Sequence, residues 1–259
     1  MERDIIRRHF ESIGARVRFR TLERGSRPGG GASRRSFAID IVKDRRGSIF
    51  DVAQASSAPE LLVLQARPKE RHLLLYSRDG RRFLCGHDER DWFVAAVPKR
   101  VSTVRDARVA LMPDAVWEKA RKLAPAATRK RKNHVFKRQG EWFFVPVELQ
   151  FPEELIHRNE PLQRTAWSKP HVCEELYREG GELVYIVRDS VYTEEHYKRK
   201  RAQDKRFAQL RAETRTRNPE IYVRGNVRHA DHATIHLEGW HRVYINAELT
   251  LQGSVAYLD

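Results

Sequence analysis

The sequence predicts an α+β fold dominated by antiparallel β-hairpins and meanders. Three observations carry that expectation. Apolar and polar residues alternate with period two through much of 36–97, 134–147 and 170–249, as half-buried strands require. Glycine-bearing turns separate these runs. Helical spacing with capping residues is confined to 3–13, 103–124 and a polar stretch from Thr193.

The elements follow in order. Ile5, Ile6, Phe10 and Ile13 share one face of a first helix, and Gly14 can take the left-handed position that closes it. Val17, Phe19 and Leu22 then alternate as a strand. Residues 23–35 hold Gly29-Gly30-Gly31 after Pro28 and offer no apolar face, so a flexible loop is expected. No Gly-Lys-Ser/Thr accompanies the glycines, which excludes a P-loop. Phe37, Ile39 and Ile41 alternate up to a turn at 43–47, and Ile49 to Val52 answer them. Runs at 61–64, 73–76, 83–85 and 92–97 complete a meander of five or six strands, with Asp79-Gly80 in one hairpin turn. Pro113 divides 103–124 into two helices, and Asp114 caps the second.

In the second half, 134–137 and 142–147 read as a hairpin about Gln139-Gly140. Residues 170–177 and 182–188 read as another about Gly180-Gly181. Thr193, followed by Glu194 and Glu195, opens a polar helix expected to run to Arg217, before Asn218-Pro219. Tyr197, Phe207 and Leu210 are its only apolar face. Runs at 221–227, 233–237 and 240–249 close the chain, with a turn allowed at Gly239. The organisation read from this is a β-rich N-terminal lobe (1–102), a helical and basic connector (103–132) and a β-rich C-terminal lobe (133–259).

Length and composition bound the function. At 259 residues, 40% hydrophobic and 33% charged, the chain can bury about 70–75% of its unfolded surface without staples. Cys85 and Cys173 lie far apart, which argues against a disulfide framework and for a reducing compartment. The first residues lack the apolar core of a signal peptide, and no apolar run approaches the ~20 residues of a bilayer span. A cytoplasmic protein is expected.

Charge says most about the partner. The net charge is +15, and three segments hold it. Residues 1–35 carry ten arginines against four acids, 126–139 carry six bases and no acid, and 193–217 carry nine bases against four acids. The remainder is slightly negative. Charge gathered this way marks a surface that meets a polyanion. The expected nucleic-acid contacts are Arg129, Lys130, Arg131, Lys132, Lys137, Arg138, Lys198, Arg199, Lys200, Arg201, Lys205 and Arg206. Arg-rich arms and β-surfaces suit RNA or single strands better than sequence-specific duplex reading. Trp142, just past Lys137 and Arg138, is a candidate for stacking on a base, against packing in the core.

Two constellations could carry chemistry. His229, His232, His236 and His241 fall within thirteen residues, with Asp231 and Arg242 among them. If Gly239 folds the chain back, His232 and His241 could share acid and base roles. Asp231 would orient a ring and Arg242 would hold phosphate, the equipment of a phosphodiester-cleaving nuclease. No second His-x-Ser/Thr accompanies His232-Ala-Thr234, which excludes the paired signature of the two-histidine phosphoesterases. The second constellation is Cys85-Gly-His87 with His171-Val-Cys173, four ligands of the kind zinc takes tetrahedrally. Zinc is the one cofactor the sequence offers. Three functions therefore stand: a nucleic-acid-binding protein, a nuclease using the histidines, and a zinc-stabilised subunit of a larger assembly.

Overall fold

The computed structural model describes residues 2–21, 37–55, 60–89, 91–98, 100–128, 130–163, 169–188 and 190–248. Leu22, the triple-glycine loop, Arg129 and the last residues of the run at 240–249 lie outside the described residues. The fold is α+β and β-dominated, with several antiparallel sheets. Among the described residues no helix is long and apolar enough to cross a membrane. Two compact units divide after Glu118, inside the segment read as a connector, and residues 246–248 belong with the first.

The first unit begins with helix α1 (Glu2–Ser12), closed by Gly14 at φ 79°. Strands β1 (Val17–Thr21), β2 (Phe37–Asp44) and β3 (Gly47–Gln54) form one sheet in the order β1-β3-β2. The β2–β3 hairpin was legible in the alternation. The parallel pairing of β1 with β3 was not, because a parallel partner leaves no local turn to betray it. Strands β4 (Leu61–Arg67), β5 (His72–Ser77), β6 (Arg82–Asp88) and β7 (Asp91–Val97) form a separate four-stranded meander. The single meander expected for 36–97 is thus two sheets. Leu73 and Leu75 pack into a core with Ile6, Phe10, Phe50 and Cys85. Leu74 and Leu84 pack on the opposite face beneath Val104 and Ala107 of α2 (Val104–Ala110). Burial on both faces explains why β5 reads as a continuous apolar run. Thr103 caps α2 by accepting from the Asp106 N–H at 3.1 Å, and α3 (Asp114–Ala120) follows Pro113.

The second unit starts with one turn of helix, α4 (Pro125–Thr128). Strands β8 (Lys137–Gln139), β9 (Trp142–Pro146), β10 (His157–Leu162) and β11 (His171–Glu179) come next. They precede β12 (Glu182–Val187), β13 (Ser190–Thr193), α5 (Glu194–Gln203) and α6 (Lys205–Ala208). Strands β14 (Glu213–Arg217), β15 (Glu220–Arg228) and β16 (Ile235–Ile245) complete it. An antiparallel six-stranded sheet runs β10-β11-β15-β16-β9-β8, and a smaller sheet runs β13-β12-β14. The large sheet buries Trp142, Phe144, Leu162, Cys173, Leu176, Val223 and Leu237 on one face. Trp142 is 2% exposed there, so it is a core residue and not a platform for bases.

The expected hairpin about Gly180-Gly181 does not form. Strand β11 pairs with β15, and β12 pairs with β14. Glu179 faces Glu220 and Glu182 faces Arg217, so the register runs on across a kink three residues further along each strand. β11–β12 and β14–β15 are therefore two arms of one long ribbon that passes from the large sheet into the small one. Pro219 has no N–H to continue the ladder, and Asn218 sits at φ 53° opposite the two glycines. Gly181 is at φ 86°, and a Cβ there would lie 2.6 Å from Thr216 Cγ2 and 2.9 Å from the Arg217 carbonyl oxygen. The glycines serve a close strand-to-strand crossing.

The polar helix is also shorter than expected. It ends at Gln203, and Asp204 caps α6 by accepting from the Arg206 and Phe207 N–H groups at 2.8 and 3.1 Å. The rest of the stretch to Arg217 includes β14. Tyr197, Phe207 and Leu210 do form the docking seam, packed with Val187, Tyr185 and Tyr192 of the small sheet.

Candidate functional site

The three basic segments fare differently once folded. In the first, Arg16 is paired with Asp44, and Arg18 and Arg20 each bond Asp51 at 2.8 Å. Their hydrogen bonds hold the Asp44 carboxyl down at about 2 and keep Asp51 below the usual carboxylate range. These arginines are committed to ion pairs within the first sheet. In the second, Lys132 bridges to Lys137 around a tight loop. Asn133 Oδ1 accepts from the Val135 and Phe136 N–H groups at 2.9 Å, and buried Phe136 anchors the loop against Phe143. Lys137 Nζ donates to the His236 carbonyl at 2.8 Å, and the Arg138 guanidinium lies 5.9 Å from the Phe143 ring centre. Arg131 is half-buried, while Lys130 and Lys132 are exposed. Arg129 lies outside the described residues.

The third segment keeps its charge available. Three of its four acids go to helix starts: Glu194 and Glu195 lie in the first turn of α5, and Asp204 caps α6. There they complement the helix dipole or satisfy amide N–H groups. Lys198 bonds Glu194 at 2.6 Å, and Arg215 and Arg217 pair with Glu213 and Glu182. Lys200 donates to the Tyr192 hydroxyl at 3.1 Å and lies over the Tyr192 and Phe207 rings. It lowers the Tyr192 pKa by that bond and is not presented to a ligand. Five exposed cations remain: Arg199, Arg201, Lys205, Arg206 and Arg211. Among the described residues none of the five has a carboxylate partner. Arg201 lies 6.0 Å from the Tyr197 ring centre.

The histidines are redistributed. β16 is continuous from Ile235 to Ile245, because its partners β15 and β9 run along it at both ends. Gly239, at φ 67°, serves a bulge opposite Arg224 rather than a turn. His241 is therefore not folded back on His232. It is 3% exposed, its Nδ1 lies 3.1 Å from the Gly239 carbonyl oxygen, and burial lowers its pKa. Arg242 is paired with Glu220 and lies over Tyr244. His236 Nδ1 bonds Asn226 Oδ1 at 3.1 Å on an exposed part of the strand. Both oxygens of Asp231 bond Lys169 Nζ, at 2.7 and 2.6 Å. The acid–base pair expected from the sequence is not assembled.

The Cys/His set is divided between the two units, with Cys85 and His87 in the first and His171 and Cys173 in the second. Cys85 is buried in the core of the first unit and Cys173 in that of the second. Burial pushes both thiols up, Cys173 to about 12. The His87 ring packs edge-on to Trp92 at 4.9 Å.

His171 instead joins two of the C-terminal histidines. Val172 faces Arg228 in the β11–β15 ladder, so the next register position sets His171 beside His229. The two rings stack at 4.2 Å, and His232 lies 4.6 Å from His229 and 5.7 Å from His171. His171 is 2% exposed, and burial with two neighbouring imidazoles holds it down at about 3. Burial and His232 likewise lower His229. Local sequence carries no signal for this group, since His171 is nearly sixty residues from His229 and only the strand pairing joins them.

Comparison with known proteins finds no matching family model, no matching curated protein and no matching solved structure. Function must be argued from the two sites themselves.

Proposed function

We propose that the chain binds nucleic acid through phosphate contacts, with the α5–α6 surface as its main interface. The observation that carries this is the set of five exposed cations without carboxylate partners, Arg199, Arg201, Lys205, Arg206 and Arg211. Arg16, Arg18 and Arg20 are paired with Asp44 and Asp51, whereas these five gather on one small sheet-and-helix element. Arginine forks suit phosphate oxygens bidentately, and lysine supplies a mobile point charge. Such contacts position a backbone and carry no base identity. RNA or a single strand is the substrate class, and Lys130 and Lys132 extend the charge available to it.

The nuclease reading is not carried forward, because no observation favours it: His241 and Arg242 are engaged elsewhere on β16. The test is direct. Protein purified at low salt without nuclease treatment should copurify with nucleic acid, seen as an absorbance ratio at 260 and 280 nm raised above that of the protein alone. The ratio should fall after a high-salt wash. A protein-like ratio at low salt, together with no retention on a phosphate-bearing resin, would contradict the reading.

A further inference from the structure

We propose that His171, His229 and His232 form a binding site for one divalent transition-metal ion, with zinc the best match. The inference stands independently of the nucleic-acid reading. Each residue offers one ring nitrogen, and these atoms all lie within 4.8 Å of one another. Imidazole suits zinc and its neighbours, and a three-histidine set leaves a tetrahedral ion one open position for water or a phosphate oxygen.

Two features point to an ion rather than to packing. First, His171 is 2% exposed, and neither of its ring nitrogens has a hydrogen-bond partner. Buried polar nitrogens are nearly always bonded. Ring stacking accounts for the 4.2 Å approach of His229 but satisfies neither nitrogen. Second, Gly140 in the β8–β9 turn leaves room at the site. A Cβ there would lie 3.1 Å from His232 Nε2 and 3.6 Å from His171 Nε2, so both nitrogens face the same point. The His229 Nδ1 now accepts from the Asp231 N–H at 3.1 Å, so the ring must turn away from that amide to give its lone pair to an ion.

A tetrahedral ion bound at about 2.0–2.1 Å needs its nitrogens roughly 3.4 Å apart. The nitrogens must close by up to about 1.4 Å, which rotation of half-buried His229 and His232 can supply. Asp231 is held by Lys169 through both oxygens.

The experiment uses the full chain, stripped with chelator and titrated with zinc sulfate, and separately with cobalt(II) as a spectroscopic probe. One ion should bind per chain, and cobalt should show the visible absorption of a tetrahedral site. Loss of an outer partner typically weakens binding 10–100-fold, so His229→Ala and His232→Ala should each weaken zinc by at least about 100-fold. Neither substitution removes a fully buried side chain, so folding is checked by the unchanged melting of the apo forms. His236→Ala, exposed on the same sheet, should bind as the unmodified chain does. Absence of saturable zinc and cobalt binding by folded protein would overturn the site. So would stoichiometric binding that survives His229→Ala and His232→Ala combined.

Discussion

Replacing Arg199, Arg201, Lys205 and Arg206 together by glutamine should weaken binding to a single-stranded RNA by roughly 10²–10³-fold near 0.1 M salt. Each phosphate contact on a single strand contributes about 0.7 to the slope of log affinity against log salt. Four lost contacts should therefore flatten that slope by about three. The fold should survive, because all four side chains are exposed and none is ion-paired. Exposed substitutions usually change stability by no more than about 0.5 kcal/mol each. Fluorescence anisotropy with a labelled oligonucleotide, alongside thermal melting, reads both quantities. Lys200→Gln should behave differently. Its ammonium already serves the Tyr192 hydroxyl and two aromatic rings, so it should lower stability more than affinity. Unchanged affinity in the fourfold variant would remove α5–α6 as the interface.

Phe50→Ala should destabilise the first unit by about 3–5 kcal/mol. Phe50 is fully buried on β3, the strand that pairs with both β1 and β2. Its ring lies 4.9 Å from Phe10 and 5.5 Å from Trp92, so it ties α1 and the meander to the first sheet. Domains have only about 5–15 kcal/mol in hand, so the first transition should fall by about 10–20 °C in a thermal scan. The basic helices belong to the other unit, and nucleic-acid affinity measured at low temperature should be kept. A Tm within a few degrees of the unmodified protein would show that this residue is not central to the core.

The elements were legible where local chemistry decides them. Thr193 and the two glutamates mark the start of α5, Pro113 separates α2 from α3, and Gly14 closes α1. Alternation located the strands of 36–97 closely. What the sequence does not carry is partnership. Gly180-Gly181 has the composition of a two-residue hairpin, yet Pro219 and Asn218 opposite it turn the same glycines into a kink between two sheets. Asp204 is a polar residue in a polar stretch until its carboxylate is seen capping α6. The site shows the same limit. Charge density predicted the basic segments, but which arginines would be consumed by Asp44 and Asp51 depended on β1 lying beside β3. The crowd of histidines near the C-terminus contains His229 and His232, whose rings the fold sets beside His171. The sequence groups His171 with Cys173 instead, because its ladder partner lies on a strand far along the chain.

The salt dependence of binding by the unmodified protein tests the central claim most directly. Anisotropy titrations with one single-stranded RNA and one duplex of equal length, at about 50 and 200 mM salt, suffice. Five phosphate contacts on the single strand should lower affinity by about 10²-fold over that interval. The loss should be similar for oligonucleotides of different sequence, and the single strand should be preferred over the duplex. A flat salt response, or no saturable binding at the lower salt, would contradict the claim that this chain meets nucleic acid through the open cations of α5 and α6.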